Sequence, residues 1–166
     1  MIYRGSGRDV ISLDIQKGAD VRLVKVDELP PIHGVLAAPP CTEFAVSGAR
    51  WWKDKPPELL INALGVLDAC LRVIHAVDPA WWALENPVGR ISHYIGKATY
   101  SFNPCDFGDP YTKKTLLWGR FNHPIKRPVK PTEGSKMHLL PPSPERANIR
   151  SQTPAGFAKA FFEANP

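Results

Sequence analysis

Residues 34–41, Gly-Val-Leu-Ala-Ala-Pro-Pro-Cys, decide the fold of this chain together with residues 81–87, Trp-Trp-Ala-Leu-Glu-Asn-Pro. Each stretch begins as a short apolar run and ends at a reactive side chain, the thiol of Cys41 or the carboxyl group of Glu85. Short apolar runs bounded by prolines are typical of buried strands in parallel sheets. Open α/β sheets place their ligands and catalytic groups at the carboxyl ends of such strands. The pattern therefore predicts two strands that each deliver a candidate catalytic group.

The segment between the two runs predicts a long helix over Pro57–Val77, because its apolar residues recur at helical spacing. A strand over Gly34–Ala38, this helix and a strand over Trp81–Leu84 make a crossover unit, which joins parallel strands and is right-handed in nearly all proteins. Cys41 and Glu85 are therefore expected on the same rim of one sheet.

Further stretches extend the predicted fold on both sides of this unit. Residues 9–14, Asp-Val-Ile-Ser-Leu-Asp, form a β-branched run ending in an acid and predict a first buried strand, and residues 21–26 predict another. Residues 115–118 are one more short apolar run. Arg120–Pro144 is rich in proline, lysine and histidine and predicts a loop or small lobe. Pro154–Ala164 has phenylalanines at helical spacing and predicts a terminal helix packed on the sheet.

Length and composition bound the class of protein. A chain of 166 residues with 43% hydrophobic residues suits one compact domain over residues 1–166 with its own core. No apolar run approaches the ~20 residues that a membrane span needs, and Met1–Asp9 lacks the apolar region of a secretory signal. We therefore expect a cytoplasmic protein without a membrane partner.

Cysteine usage and charge narrow the possible functions. Cys41, Cys70 and Cys105 are an odd number without C-x-x-C spacing, and the histidines show no ligand spacing, so neither a disulfide framework nor a metal site is expected. The formal net charge of +5 and the pI of about 9.2 favour a polyanionic partner, although charge of this size also occurs on proteins that bind nothing acidic.

Ala38-Pro39-Pro40-Cys41 and Glu85-Asn86-Pro87 resemble the Pro-Cys and Glu-Asn motifs of DNA cytosine-5 methyltransferases, most closely the compact, phage-type members. Two later blocks fall in that family's order. Residues 107–115, Phe-Gly-Asp-Pro-Tyr-Thr-Lys-Lys-Thr, resemble its aromatic-Gly-x-Pro-Gln-x-Arg-x-Arg block, and Ser151-Gln152-Thr153-Pro154 occupies the place of its final motif. The resemblance implies an α/β, Rossmann-like class I fold that binds S-adenosyl-L-methionine, N-terminally truncated here, with a small recognition segment at residues 120–150.

The chemistry of cytosine explains why this family needs a thiol and a carboxyl group. C5 of cytosine is a poor nucleophile until a thiolate adds to C6, and Cys41 is the candidate for that addition. Glu85 would meet the N3 edge of the same ring, where a protonated carboxyl group with a raised pKa can assist. By resemblance, Lys113 would contact the flipped cytosine or a phosphate, and duplex DNA would present its target cytosine flipped out.

Five residues are candidates for binding S-adenosyl-L-methionine. Asp14 ends the first predicted strand, where an acid accepts ribose hydroxyls, and Asp27 sits where the family places an acid near adenine. By resemblance, Ile15 would stack on the adenine, Pro39 would line the cofactor cleft and Thr153 would close it.

Three departures from the family bear on this interpretation. The glycine-rich first motif is missing, since Met1–Arg8 is too short to hold it, so the central strand is expected to be absent. Residues 111–115 replace the family's glutamine and both arginines, which keeps charge but loses bidentate geometry. Residues 120–150 replace a long recognition domain, so phosphate contacts should dominate DNA binding.

Other functions and simpler roles stay open. The chain can be a catalytically degenerate DNA-binding or decoy protein of the same fold, or an RNA cytosine-5 methyltransferase. Cys41 can be a small core residue, and Glu85 can cap backbone or pair with Arg90. Core packing is the expected role of Trp82, whereas the pair Trp51-Trp52 is a candidate to face DNA.

Overall fold

A computed structural model describes residues 7–166 of the chain, which form an α/β fold around a mixed four-stranded sheet in the order β1-β2-β4-β3. This arrangement is compatible with a Rossmann-like fold. Residues 1–6, and with them most of the stretch said to lack a glycine-rich motif, lie outside the described residues. The strands are β1 (Gly34–Ala37), β2 (Trp81–Pro87), β3 (Tyr100–Phe102) and β4 (Thr115–Arg120), and the α-helices are α1 (Pro57–Val77), α2 (Ser92–Ile95), α3 (Lys136–Leu139), α4 (Arg146–Ser151) and α5 (Ala155–Ala164).

The predicted crossover unit forms the centre of this fold. β1 pairs with β2 in parallel, with Gly34 opposite Trp81 and Ala37 opposite Leu84. The helix α1 between them has the bounds that its apolar spacing predicts. Because a chain must reverse to return a parallel strand, α1 lies against the sheet and buries its apolar face there. The core is made by Ala37, Phe44, Ala63, Leu67, Ile74, Leu84, Ile91 and Trp118.

The helix α1 also meets the length and composition of a membrane-spanning helix, with a mean hydropathy of 1.6 in its most apolar window. The expectation that no apolar run approaches this length is therefore wrong. Apolar length alone does not separate a membrane span from a core helix. Here Ala63, Leu67 and Ile74 of α1 pack into the core with strand residues.

The strand predicted at residues 9–14 is wrong. These residues take no regular structure, and Asp14 caps the single-turn 3₁₀ helix Ile15–Lys17 by accepting a hydrogen bond from the Gln16 N–H at 3.0 Å. Such local side-chain capping competes with strand formation, because it satisfies backbone groups that a sheet neighbour would otherwise have to satisfy. The sheet therefore has no acid-ended strand before β1 among the described residues.

The strand predicted at residues 21–26 is also wrong, since two 3₁₀ turns, Val21–Leu23 and Val26–Glu28, lie there instead. Arg72 of α1 donates hydrogen bonds of 3.4 Å to carbonyl oxygens of Val21 and Val24. An arginine on the helix thus binds this segment where a neighbouring strand was expected.

Two compact units divide the chain. The sheet unit comprises Val10–Tyr100 and Leu116–Phe121, and it holds both Cys41 and Glu85. The C-terminal unit comprises the described part of Met1–Asp9, with Ser101–Thr115 and Asn122–Pro166. It holds Lys113, Thr153 and almost all of the predicted recognition segment. That one domain spans residues 1–166 stays a prediction.

Aromatic side chains form the core of the C-terminal unit. Phe157 of α5 stacks on Phe102 at 3.7 Å between ring centroids, and it meets Phe107 edge to face at 5.3 Å. The adjacent Gly156 N–H donates to the Asp109 carboxylate at 3.0 Å. These contacts confirm the terminal helix and explain its docking, because edge-to-face and stacked rings add geometric preference to apolar burial.

Gly89 is expected to tolerate no side chain. A Cβ there would lie 1.9 Å from the carbonyl oxygen of Phe44, beside the bridge between Ala45 and Gly89. Backbone cannot yield as a flexible side chain does, so Gly89→Ala should lower the free energy of unfolding by about 2–3 kcal/mol in urea denaturation.

Gly65→Ala in α1 is the matched control. Nothing lies within 4 Å of a Cβ built at Gly65, so alanine should raise the free energy of unfolding by about 0.5–1 kcal/mol through helix propensity. Equal losses from both substitutions would contradict the close approach at Gly89.

Candidate functional site

The parallel register brings the ends of β1 and β2 to one edge of the sheet. Ala37 lies opposite Leu84, so Ala38-Pro39-Pro40-Cys41 and Glu85-Asn86 continue side by side beyond the paired residues. A one-residue slip would turn every side chain to the other face, so this register decides which side chains the rim presents. The expected convergence of the two strand ends is confirmed.

A direct hydrogen bond joins the two motifs at this rim. The side-chain N–H of Asn86, which is 1% exposed, donates to the carbonyl oxygen of Pro39 at 3.0 Å. Asn86 therefore fixes the proline pair that precedes Cys41, rather than only orienting its neighbour Glu85. Among residues 7–166 no hydrogen-bond donor is found for the buried Oδ1 of Asn86. Burying an acceptor without a donor costs free energy.

Cys41 is exposed, and its backbone is held in a tight turn. Its carbonyl oxygen accepts hydrogen bonds from the N–H groups of Phe44 at 2.9 Å and Ala45 at 2.8 Å. Pro39 is buried and Pro40 is exposed, so the chain leaves the core between them. The thiol of Cys41 is thus presented at the surface on a fixed backbone, and core packing is not its role.

The loops that follow the two motifs are also tied together. Ala45 and Gly89 form an antiparallel bridge, with the Val46 N–H donating to Val88 at 2.9 Å and the Arg90 N–H donating to Phe44 at 2.8 Å. The close approach of the two loops requires the absence of a side chain at Gly89.

A buried carboxylate, Glu43, organises the residues beside Cys41. Its carboxylate lies 2.7 Å from Lys55 Nζ, and its carbonyl oxygen accepts a hydrogen bond of 2.6 Å from Arg90 Nε. Arg90 Nη2 lies 4.0 Å from the carboxylate, which is a charge contact rather than a hydrogen bond. The guanidinium of Arg90 also covers the ring of Trp52 at 4.3 Å.

This cluster was missed by the sequence analysis, which offered Arg90 as a partner for Glu85. A signal was available, because Glu43 is an acid placed two residues after Cys41 and directly before an apolar pair. Buried acids need cations, and Lys55 and Arg90 were the nearest candidates on either side of α1.

Four of the residues predicted to bind S-adenosyl-L-methionine lie in the sheet unit. Asp14 caps its own turn, Asp27 lies in a 3₁₀ turn, and Ile15 is 61% exposed. Neither acid lies at a strand end, which was the geometric reason for choosing Asp14. Pro39 contributes its carbonyl oxygen to Asn86. The roles of these residues stay predictions, and the two acids lack the strand-end geometry that motivated their choice.

Lys113 and Thr153 belong to the C-terminal unit. Lys113 Nζ donates to the carbonyl oxygens of Arg150 at 2.5 Å and Gln152 at 3.4 Å, at the end of α4. Thr153 is exposed and directly follows Gln152. The structure therefore brings these two residues to one segment and gives Lys113 a structural contact there.

Comparison with protein families finds no family model that matches this chain, and comparison with curated proteins finds no significant match. Its interpretation therefore depends on its own residues and their geometry.

Removing the charge of Glu43 should destabilise the rim. In Glu43→Gln, Lys55 and Arg90 lose the anion between them while they stay largely buried, at 25% and 15% side-chain exposure. We expect the free energy of unfolding to fall by about 2 kcal/mol in urea denaturation. Lys25→Gln breaks an ion pair whose side chains are 70% and 64% exposed, and it should change stability by less than about 0.5 kcal/mol. Similar effects of both substitutions would refute the structural role of Glu43.

The thiols should differ in reactivity. Burial raises the pKa of Cys70 to about 11, whereas Cys41 is exposed. Alkylation by iodoacetamide near neutral pH, followed by peptide mass spectrometry, should modify Cys41 well before Cys70, because the thiolate is the reactive form. The rate at Cys70 should rise as the pH approaches 11. In urea the two rates should converge, and equal rates in the folded protein would argue against this assignment.

Proposed function

We propose that this chain is a DNA cytosine-5 methyltransferase of the S-adenosyl-L-methionine-dependent type, in which Cys41 and Glu85 act on the cytosine ring. The observation that carries the proposal is the shared rim: β1 leads into Pro39-Pro40-Cys41, its parallel neighbour β2 carries Glu85-Asn86 near its end, and the Asn86 side chain donates a hydrogen bond to Pro39. A nucleophile and a proton donor that must act on one small ring need such a common support.

The first chemical step belongs to Cys41. Its thiolate adds to C6 of cytosine and forms a C6–S bond, while the C5–C6 π pair shifts to the C4–C5 bond and the C4–N3 π pair moves onto N3. This shift makes C5 nucleophilic. The turn around Cys41 and the prolines before it limit the directions from which the sulfur can approach C6.

Glu85 has the second role. A protonated Glu85 carboxyl group gives its proton to N3 as the electron pair arrives there, and takes it back when the C6–S bond breaks. Glu85 lies half-buried near the end of β2, and this role requires its carboxyl group to be protonated when cytosine binds. Glu85 belongs to β2 and is followed by the buried Asn86, so its backbone is fixed.

A second function is favoured by a different observation. Because Asp14 caps its own turn and Asp27 lies in a 3₁₀ turn, neither at a strand end, a DNA-binding protein without methyl transfer fits the sheet unit as well. Such a protein would bind DNA with strong salt dependence and would show no measurable affinity for S-adenosyl-L-methionine. Calorimetry with that cofactor distinguishes the two functions.

Exchange of the C5 proton tests the C6 addition independently of the methyl donor. In DNA carrying tritium at C5 of cytosine, addition of Cys41 lets C5 take up a proton from water, and loss of the tritium then restores the ring. We expect wild-type protein to release tritium, Cys41→Ser to release none, and Glu85→Gln to be slower by about 100-fold or more. Cys70→Ser is the matched control and should keep the wild-type rate. Absence of release by the wild type, with and without S-adenosyl-L-methionine, would refute the catalytic role of Cys41.

Methyl transfer itself is tested with 5-fluorocytosine in DNA and a methyl-labelled donor. Fluorine at C5 cannot leave as a proton does, so a methylated adduct stays bound to the protein. A labelled covalent complex that Cys41→Ser abolishes is the expected result. Tritium release without a labelled complex would leave the C6 addition standing and refute the methyltransferase. The same assays with tRNA in place of DNA compare the two nucleic acids.

A further inference from the structure

The structure separates the two tryptophans that follow the Cys41 turn. They belong to the 3₁₀ segment Val46–Asp54, which begins directly after the bridge at Ala45. Trp52 is half-buried under the guanidinium of Arg90, whereas Trp51 is 48% exposed. Of the pair that is a candidate to face DNA, Trp52 therefore anchors the segment and Trp51 is presented to solvent.

Contacts with Glu43 hold the segment at Trp52 and just beyond its C-terminal end. Arg90, which covers Trp52, donates to the carbonyl oxygen of Glu43, and Lys55, just beyond the segment, pairs with the Glu43 carboxylate at 2.7 Å. A single buried acid thus holds the base of the segment. Trp51 is therefore exposed on a segment whose base is held by the contacts of Glu43 with Arg90 and Lys55.

Trp51 is paired with a cation that is itself exposed. The guanidinium carbon of Arg50 lies 3.9 Å from the centroid of the Trp51 ring, within the range of a cation–π contact. Lys53 adds a second exposed positive charge to the same segment. The guanidinium covers one face of the indole, so an incoming base stacks on the opposite face and finds the positive charge of Arg50 close by for its phosphate.

The charge of the chain favours a nucleic acid over an apolar protein partner. The net charge is +5, and the exposed Trp51 has charged neighbours at Arg50 and Lys53. Protein interfaces also enrich tryptophan and arginine but deplete lysine, whereas single-strand binding surfaces combine aromatic rings with cations of both kinds along the backbone.

We infer that Arg50 and Trp51 form a platform on which an unpaired DNA base stacks, an inference that rests on the proposed function only for the choice of DNA. In that function the platform belongs to the same unit as Cys41 and follows it by about ten residues. It would receive the base left unpaired when the target cytosine leaves the duplex.

The experiment compares labelled single-stranded DNA with an abasic strand of equal length and charge, by fluorescence anisotropy at fixed salt. Wild-type protein should bind the strand with bases more tightly. Trp51→Ala should raise the dissociation constant for that strand by about tenfold and change binding of the abasic strand by less than about twofold. Trp51→Phe should recover most of the affinity, because a phenyl ring also stacks. Ile61→Ala on α1, which removes another exposed apolar side chain, is the matched control and should change neither constant.

Each outcome decides the inference. Equal loss of affinity for both strands, or no loss for either, overturns stacking at Trp51. Thermal unfolding of Trp51→Ala should match the wild type because the side chain is exposed; if that variant unfolds early, the comparison of Trp51→Phe with the wild type carries the test, and a large loss in Trp51→Phe contradicts stacking.

Failure here is distinguishable from failure of the methyltransferase. If tritium release depends on Cys41 but single-strand binding is unchanged by substitution of Trp51, the platform is overturned and the proposed chemistry stands. Binding that depends on Trp51 without tritium release would leave the platform as the DNA contact of a non-catalytic protein.

Discussion

Parallel pairing of β1 with β2 is the constraint on which the rest of this structure depends. The 21-residue helix α1 carries the chain back across the sheet, so both strands run the same way and end at one edge. With Ala37 opposite Leu84, the residues that follow each strand are neighbours in space although more than forty positions separate them in the chain. Backbone hydrogen bonds of the sheet set the positions of the residues that lead into Cys41 and Glu85, and the hydrogen bond from Asn86 to Pro39 continues the pairing two residues beyond Ala37 and Leu84.

Beyond the paired strands, ion pairs and close backbone contacts hold the loops together in place of the hydrogen bonds between strands. The bridge at Ala45 and Gly89 holds the two loops together, and Glu43 draws Lys55 and Arg90 toward the chain that follows Cys41. These contacts oppose the conformational entropy of loops that otherwise have few apolar contacts. They also connect the proposed chemistry with the exposed Arg50 and Trp51, because Glu43 and Arg90 support both the turn at Cys41 and the ring of Trp52.

The two halves of the proposed reaction are unequally supported. The residues proposed to act on cytosine are positioned by the register of β1 with β2, by the buried side chain of Asn86 and by the turn at Cys41. The acids proposed to bind the cofactor lie at or in short 3₁₀ turns, and the Asp14 carboxylate already accepts a hydrogen bond from the Gln16 N–H. A strand end presents an acid in a fixed direction because sheet neighbours hold the backbone, and a single turn lacks that support.

The sequence by itself determined β1, the bounds of α1, β2 and the terminal helix, because apolar periodicity, prolines and burial coincide in those segments. It therefore also predicted the common rim of Cys41 and Glu85. It misjudged residues 9–26, where β-branched runs look like strands but aspartate caps and Arg72 stabilise short turns instead. Only the tertiary structure decided that Arg90 serves Glu43, that Trp52 is an anchor while Trp51 is exposed, and that Gly89 admits no side chain. These outcomes depend on which residues meet across distant segments, and no local pattern of side chains encodes such a meeting.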